Sequence, residues 1–237
     1  MPEFDRGPLA RFGEHFSRVP DPPHKERFWF DWGPVFYRGR LSGTARLLCV
    51  GSDSGATERV VGRTLVGDAG QRVQGFLGKL GLTTSYLCLN AFAYSLIPSE
   101  ANHAHEMLQD SHQMAWRNRL FDMARGPELR AVVGFGRIAQ DAVELWPGKD
   151  SLSVFRVSHP TSRDEGRLLV EWRGAIAALR QVIQPDPDGT TNGPNYGTTF
   201  REEDYAPIPR RDLPFGVPPF SVTTRWAGGK SRLVGPP

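Results

Sequence analysis

In Arg46-Leu47-Leu48-Cys49-Val50-Gly51-Ser52-Asp53-Ser54-Gly55 an apolar run of strand length stops at a glycine and gives way to small polar residues and a carboxylate. The same event recurs along the chain. Tyr86-Leu87-Cys88-Leu89 ends at Asn90, Ala131-Val132-Val133 ends at Gly134, and Val154-Phe155-Arg156-Val157 ends at Ser158-His159-Pro160. Short apolar runs bounded by turn residues read as buried strands. Between them, apolar residues fall at helical spacing: Val73, Phe76, Leu77 and Leu80 before Gly81, a segment within Glu106 to Ala124, Ile138 to Leu145, and Leu168 to Ile183. Alternation of this kind builds a parallel sheet covered by helices on both faces. The expected fold is therefore α/β, a three-layer α/β/α sandwich around a mostly parallel four-stranded sheet. In such sheets ligands bind beyond the carboxyl ends of the strands.

Proline marks the boundaries. Six of the 20 prolines lie in residues 1–45, four in 46–184 and ten in 185–237, so continuous elements belong to the middle. Residues 1–45 read as an N-terminal extension packing on the core, 46–184 as the working domain, and 185–237 as a Pro/Gly-rich tail, extended or wrapping the core. Turn signals there include Asn192-Gly193-Pro194 and Gly228-Gly229.

A net charge of +3 permits a polyanionic partner without requiring one. Cys49 and Cys88, the two cysteines, sit inside strand-like runs and read as buried reduced thiols rather than a disulfide or metal site. No apolar run reaches the ~20 residues of a membrane span, and the N-terminus has no signal-peptide pattern; a cytoplasmic monomer is expected. His103, His105 and His112 read as a solvated polar loop, since no carboxylate or thiol stands at ligand spacing. Phe28-Trp29-Phe30 and Trp32 read as core packing rather than a base-stacking platform, and Arg210-Arg211 and Arg225 to Arg232 as solvated surface.

The residues just past each strand carry the chemistry. Asp53 in its Gly/Ser turn is, alone, an ordinary helix cap, and Asn90 an ordinary turn residue. His159 precedes a proline, which keeps it out of a helix interior and presents it on a loop. Three such groups at three strand ends are jointly far less ordinary than any one.

Their order resembles the motif set of the uracil-DNA glycosylase superfamily. Gly51-Ser52-Asp53-Ser54-Gly55 is similar to the first motif, G-Q-D-P-Y in one branch and G-E-A-P-G in the iron–sulfur branch. Gly62-Arg63-Thr64-Leu65-Val66-Gly67-Asp68-Ala69-Gly70 resembles G-R-P-F-V-G-R-A-G. Leu87-Cys88-Leu89-Asn90 resembles L-L-L-N, Val132 to Ala139 resembles V-V-x-L-G-x-x-A, and His159-Pro160-Thr161-Ser162-Arg163 corresponds to H-P-S-P-L. The resemblance spans residues 46–184.

It implies an enzyme of base-excision repair that flips uracil, and other damaged bases, out of DNA and hydrolyses the N-glycosidic bond. Asp53 and His159 would be catalytic. Asn90, Leu65, Gly51, Ser52 and Gly55 would line the uracil pocket, and Ser54, Arg63, Ser158, Thr161, Ser162 and Arg163 would meet DNA, with Arg163 at the intercalating position. Three departures stand out. Leu65 occupies the place of the aromatic that stacks on uracil, leaving Phe92 or Phe135 as substitutes. Gly55 stands where a bulky residue excludes thymine. Two thiols cannot ligate a four-iron cluster, so no cofactor is expected. Two other readings remain: a module of the same fold that binds lesions or abasic DNA with little turnover, and a nucleotide-binding sheet. The acidic Asp53 at the phosphate position argues against the latter.

Overall fold

The computed structural model describes residues 3–191 and 195–217. Five strands form one sheet: β1 (Tyr37–Gly39), β2 (Leu47–Gly51), β3 (Tyr86–Asn90), β4 (Ala131–Phe135) and β5 (Ser153–Val157), in the order β1-β3-β2-β4-β5. β3, β2, β4 and β5 are parallel, as expected, and β1 adds an antiparallel edge with Tyr37 opposite Leu89. The expected count of four strands is thus corrected to five, and the sheet begins within residues 1–45.

The missing strand was hidden by its composition. Arg38 stands at its centre and is fully buried. Its Nη1 donates to Gln74 Oε1 at 2.6 Å and to Asp212 Oδ2 at 3.2 Å, and its Nη2 donates to Cys88 Sγ at 3.4 Å. A buried arginine survives only where such partners satisfy it, and Asp212 is 174 residues away. Hydropathy along three residues cannot register that partner.

Alternation in the central strands splits the core into two layers. Leu47 and Cys49 of β2 point to the side covered by α3 (Asp68–Lys79) and α7 (Glu165–Val182), where Phe76 and Trp172 pack with Phe135. Leu48 and Val50 face α1 (Ala10–Phe16), α5 (Ser111–Ala124) and α6 (Arg137–Glu144), where Phe12, Phe121 and Trp146 are buried. Two short helices complete the set: α2 (Ala56–Val61) directly after the Asp53 turn, and α4 (Ala104–Leu108). Cys49 and Cys88 are register partners on β2 and β3, both buried and both free thiols.

The described part of the tail lies on the core. Asp212 also accepts from the Tyr86 hydroxyl at 2.6 Å, and Lys79 Nζ stands 2.8 Å from Asp204 in a buried pair. Asp186 accepts from the backbone N–H groups of Thr83, Thr84 and Ser85 and from the Ser85 hydroxyl. Burial alone would raise its pKa; the hydrogen bonds outweigh it and hold the carboxyl down to about 2. The sequence signals at Asn192-Gly193-Pro194, Arg225 to Arg232 and Gly228-Gly229 lie outside the described residues.

Candidate active site

The carboxyl end of β2 delivers Asp53. The chain leaves the sheet at Gly51, whose surroundings are shared with β3: Ala91 N donates to Gly51 O and Phe92 N to Ser52 O, both at 2.9 Å. These bonds extend the pairing past Asn90 and clamp the Asp53 turn to the loop after β3. Asp53 Oδ2 accepts from Leu96 N at 2.9 Å. Burial is the main influence on its carboxyl and raises the pKa to about 6, against the lowering hydrogen bonds from Leu96 N–H and the Ser52 hydroxyl; Glu58 raises it and Arg59 lowers it. Ser52, expected to line a base pocket, holds Asp53.

Asn90 ends β3 opposite Gly51 and is buried. Its Nδ2 donates to Ser54 Oγ at 3.3 Å, while Oδ1 is buried without a hydrogen-bond partner among the described residues. A side chain at Gly51 would place its Cβ 2.6 Å from that oxygen, so only glycine lets Asn90 pack this closely. Leu65 packs against the same spot, its Cδ2 3.5 Å from that position. Its φ of 52° is in the left-handed region, which a leucine adopts only under constraint. The two residues after it are held by Glu58 Oε1, which accepts from Val66 N and Gly67 N at 2.9 and 2.8 Å. Ser54, Asn90, Gly51, Leu65 and Asp53 are thus brought together at one end of the sheet.

His159 follows β5 by two residues. Thr161 N donates to His159 Nδ1 at 3.2 Å, and the Thr161 hydroxyl lies 2.9 Å from the same nitrogen. A backbone N–H can only donate, so Nδ1 accepts and the neutral ring carries its proton on Nε2. Burial lowers the imidazole pKa below 6.5. Gly136, at φ 86°, backs the ring: a Cβ there would stand 2.9 Å from His159 Cβ. Arg72 of α3 holds the loop from below, its Nη1 donating to Pro160 O at 2.8 Å and its Nε to the Tyr205 hydroxyl. His159 lines a cleft of about 570 Å³ with Gly136, Gln140, Thr161 and Ser162; Asp53 and Asn90 are not in that lining. The two groups flank the sheet end from β2 and β5, with β4 between them.

Several residues expected to meet DNA or line the base pocket have partners within the protein. Arg63 turns inward: its Nε donates to Asp5 Oδ2 at 2.8 Å and its guanidinium lies 4.8 Å from the Tyr37 ring centroid. Ser158 gives both its N–H and hydroxyl to Glu171 Oε2, and its carbonyl accepts from Trp172 Nε1. Ser54 is buried against Asn90. The Ser158 donors and Nε and Nη1 of Arg63 are thus occupied within the protein, and Ser54 is covered. Thr161 is engaged with His159, and Ser162 N donates to His159 O at 2.9 Å. Arg163 is exposed with no bonded partner among the described residues. Gly55 is exposed at the start of α2, where an added Cβ would meet Glu58 Oε2 at 2.8 Å. Phe92 is buried edge-on to Phe28, and Phe135 is buried between Phe76 and Trp172. Trp29 and Trp32, read as core, are exposed. His105 contacts Asp141 and Gln109, and Arg210 pairs with Glu3.

Sequence reasoning missed Leu96, Glu58, Gly136 and Arg72. Leu96 acts through its backbone, which carries no sequence signal. Glu58 and Arg72 are ordinary helix residues until their long-range partners are known. Gly136 alone had a legible cue, a glycine between strand and helix. Among the described residues no helix is long and apolar enough to cross a membrane. Comparison with protein-family models and with curated proteins returns no match.

Proposed function

We propose that this chain is a DNA glycosylase of base-excision repair that flips uracil from DNA and hydrolyses its N-glycosidic bond, leaving an abasic site. The carrying observation is the buried, unpartnered Oδ1 of Asn90, which lies against Gly51 where no larger residue would fit and stands at the same sheet end as Asp53. Buried polar atoms without partners are rare and call for an explanation. A uracil N3–H supplies the missing donor, while Nδ2 of Asn90 has a hydrogen left for O4. Cytosine presents an acceptor at N3 and a donor at C4, so both contacts fail with it.

The chemistry then divides between two loops. As the bond from C1′ to the base breaks, positive charge grows on the sugar and negative charge on the base. Ionised Asp53 stabilises the sugar cation and orients the water that adds to C1′. His159, neutral with its proton on Nε2, donates to O2 of the departing base; a preorganised donor of this kind is worth ~3–4 kcal/mol. Neighbouring strands are about 4.8 Å apart, so β2 and β5, separated by β4, release their loops roughly 10 Å apart, a span that a flipped nucleotide can bridge. Arg163, exposed two residues past Thr161, would fill the gap left in the stack. DNA containing uracil or another damaged base is the substrate, and no cofactor enters the reaction.

Single-turnover excision on a uracil oligonucleotide, read by alkaline cleavage, tests this reading. Asp53→Asn and His159→Ala should each slow excision on the order of 10²–10³-fold while leaving the fold intact. A wild-type protein inactive on uracil, hypoxanthine, xanthine and thymine mismatches would refute it, as would two variants with wild-type rates.

A further inference from the structure

Trp29 and Trp32 are 45% and 57% exposed, unusual for the largest side chains in a protein that buries Trp146 and Trp172 completely. Between them lies the guanidinium of Arg59, 5.4 Å from the Trp29 ring centroid and 5.2 Å from that of Trp32. Nε and Nη1 of Arg59 are shielded from water and have no hydrogen-bond partner among the described residues, and no carboxylate pairs with it there. A cation held by two indoles is stabilised by their π faces, yet its N–H groups still lack acceptors.

This cluster adjoins the Asp53 turn. Arg59 is on α2, which starts three residues after Asp53, and its charge acts on the Asp53 carboxyl. Trp29 N donates to Ser95 O at 2.8 Å, and the next residue, Leu96, donates to Asp53. The exposed indoles therefore sit on the rim of the proposed base site.

Exposed aromatic faces beside an unpaired cation match one class of ligand closely. Unpaired nucleotides present flat π faces for the indoles and phosphate oxygens for Nη2, the guanidinium nitrogen that is not shielded. An apolar protein surface would cover the rings and leave the Arg59 charge without a counter-ion. We propose that Trp29, Arg59 and Trp32 form a stacking platform for unpaired nucleotides flanking the base held at Asp53, giving the protein affinity for single-stranded DNA without damage. The proposal rests on the glycosylase reading for where that strand runs, but its test needs no excision.

The test is fluorescence anisotropy of the full-length protein with a labelled, undamaged oligo-thymidine strand and with the matching duplex. The wild type should prefer the single strand. Trp32→Ala and Trp29→Ala should each weaken single-strand binding by roughly 5- to 100-fold. Trp32→Phe, which keeps a ring, should retain most of the affinity, and Trp32→Leu, which keeps apolar area without a ring, should not; this pair holds if the alanine variant folds poorly. Arg59→Gln should reduce the salt dependence by about one phosphate contact, a change of ~0.7 in slope. Single-strand affinity unchanged in the tryptophan variants would overturn the platform. So would a wild-type dimer in sedimentation velocity that Trp32→Ala dissociates, since a second copy would then cover the rings. Trp-dependent binding in a protein that excises nothing would refute the glycosylase reading alone; excision with Trp-independent binding would refute the platform alone.

Discussion

Replacing Asp53 with Asn removes a carboxylate that the fold holds in an unfavourable place. Its pKa rises from an ordinary 3.8 to about 6, chiefly because burial penalises the charged form. A rise of about two pH units corresponds to about 3 kcal/mol at 1.36 kcal/mol per unit. The folded state binds this proton more tightly than the unfolded chain. Stability therefore falls as pH rises from about 3.8 to about 6, and the full penalty persists above that window. Asn has no such penalty. Its Oδ1 can still accept from Leu96 N–H, while its amino group replaces an oxygen and disturbs the Ser52 contact at a cost of about 1 kcal/mol. The net expectation is that Asp53→Asn is more stable than wild type by about 1–3 kcal/mol at pH 8. At about 2–4 °C per kcal/mol for a chain of this size, Tm should rise by roughly 2–10 °C. Near pH 4 the advantage should vanish. Urea melts of both proteins at the two pH values measure it. An equal stability difference at both values, or a variant less stable at pH 8, would refute the burial argument. The stabilised variant should also be the inactive one, as expected where a site holds charge against its solvation.

Under the proposed reaction the same pKa directions set a pH profile: excision should rise with pH along a limb centred near 6 as Asp53 ionises, and level off above it while His159, depressed below 6.5 by burial, stays neutral; a pH–rate profile falling from pH 5 to 7 would contradict both roles. Gly136→Ala should impair His159 without touching it chemically, because the new Cβ meets the imidazole side chain at 2.9 Å and the φ of 86° disfavours any side chain. A loss of about 10–100-fold in single-turnover rate with an unchanged melting profile shape is expected, and a wild-type rate would show the ring is free to shift. Asp212→Ala should destabilise by about 3–5 kcal/mol, since Arg38 would remain buried without its carboxylate; a loss under about 1 kcal/mol in denaturant melts would mean that Gln74 and Cys88 suffice.

The central sheet was legible because its information is local. Leu47 to Val50, Tyr86 to Leu89 and Ala131 to Val133 are apolar on both faces, and only a strand buried between two layers needs that pattern. The strand ends were legible for a related reason: a parallel sheet delivers all its carboxyl ends to one side, so Asp53, Asn90 and His159 share an edge whatever course the loops take. Which atoms those residues use was decided elsewhere. Burial raises the Asp53 pKa against the hydrogen bond from Leu96 N–H, Gly136 from another strand end seats His159, and Glu58 holds the backbone just after the left-handed Leu65. Arg63, Ser54 and Ser158 look like surface donors in the sequence, yet Asp5, Asn90 and Glu171 claim them. The exposed Trp29 and Trp32 read as core because hydropathy ranks a side chain by its own chemistry, whereas burial depends on what the rest of the chain brings to cover it. Periodicity along the chain determines which segments become strands and helices. Partners separated by tens to hundreds of residues determine which side chains remain free to act, and only the folded chain brings those partners together.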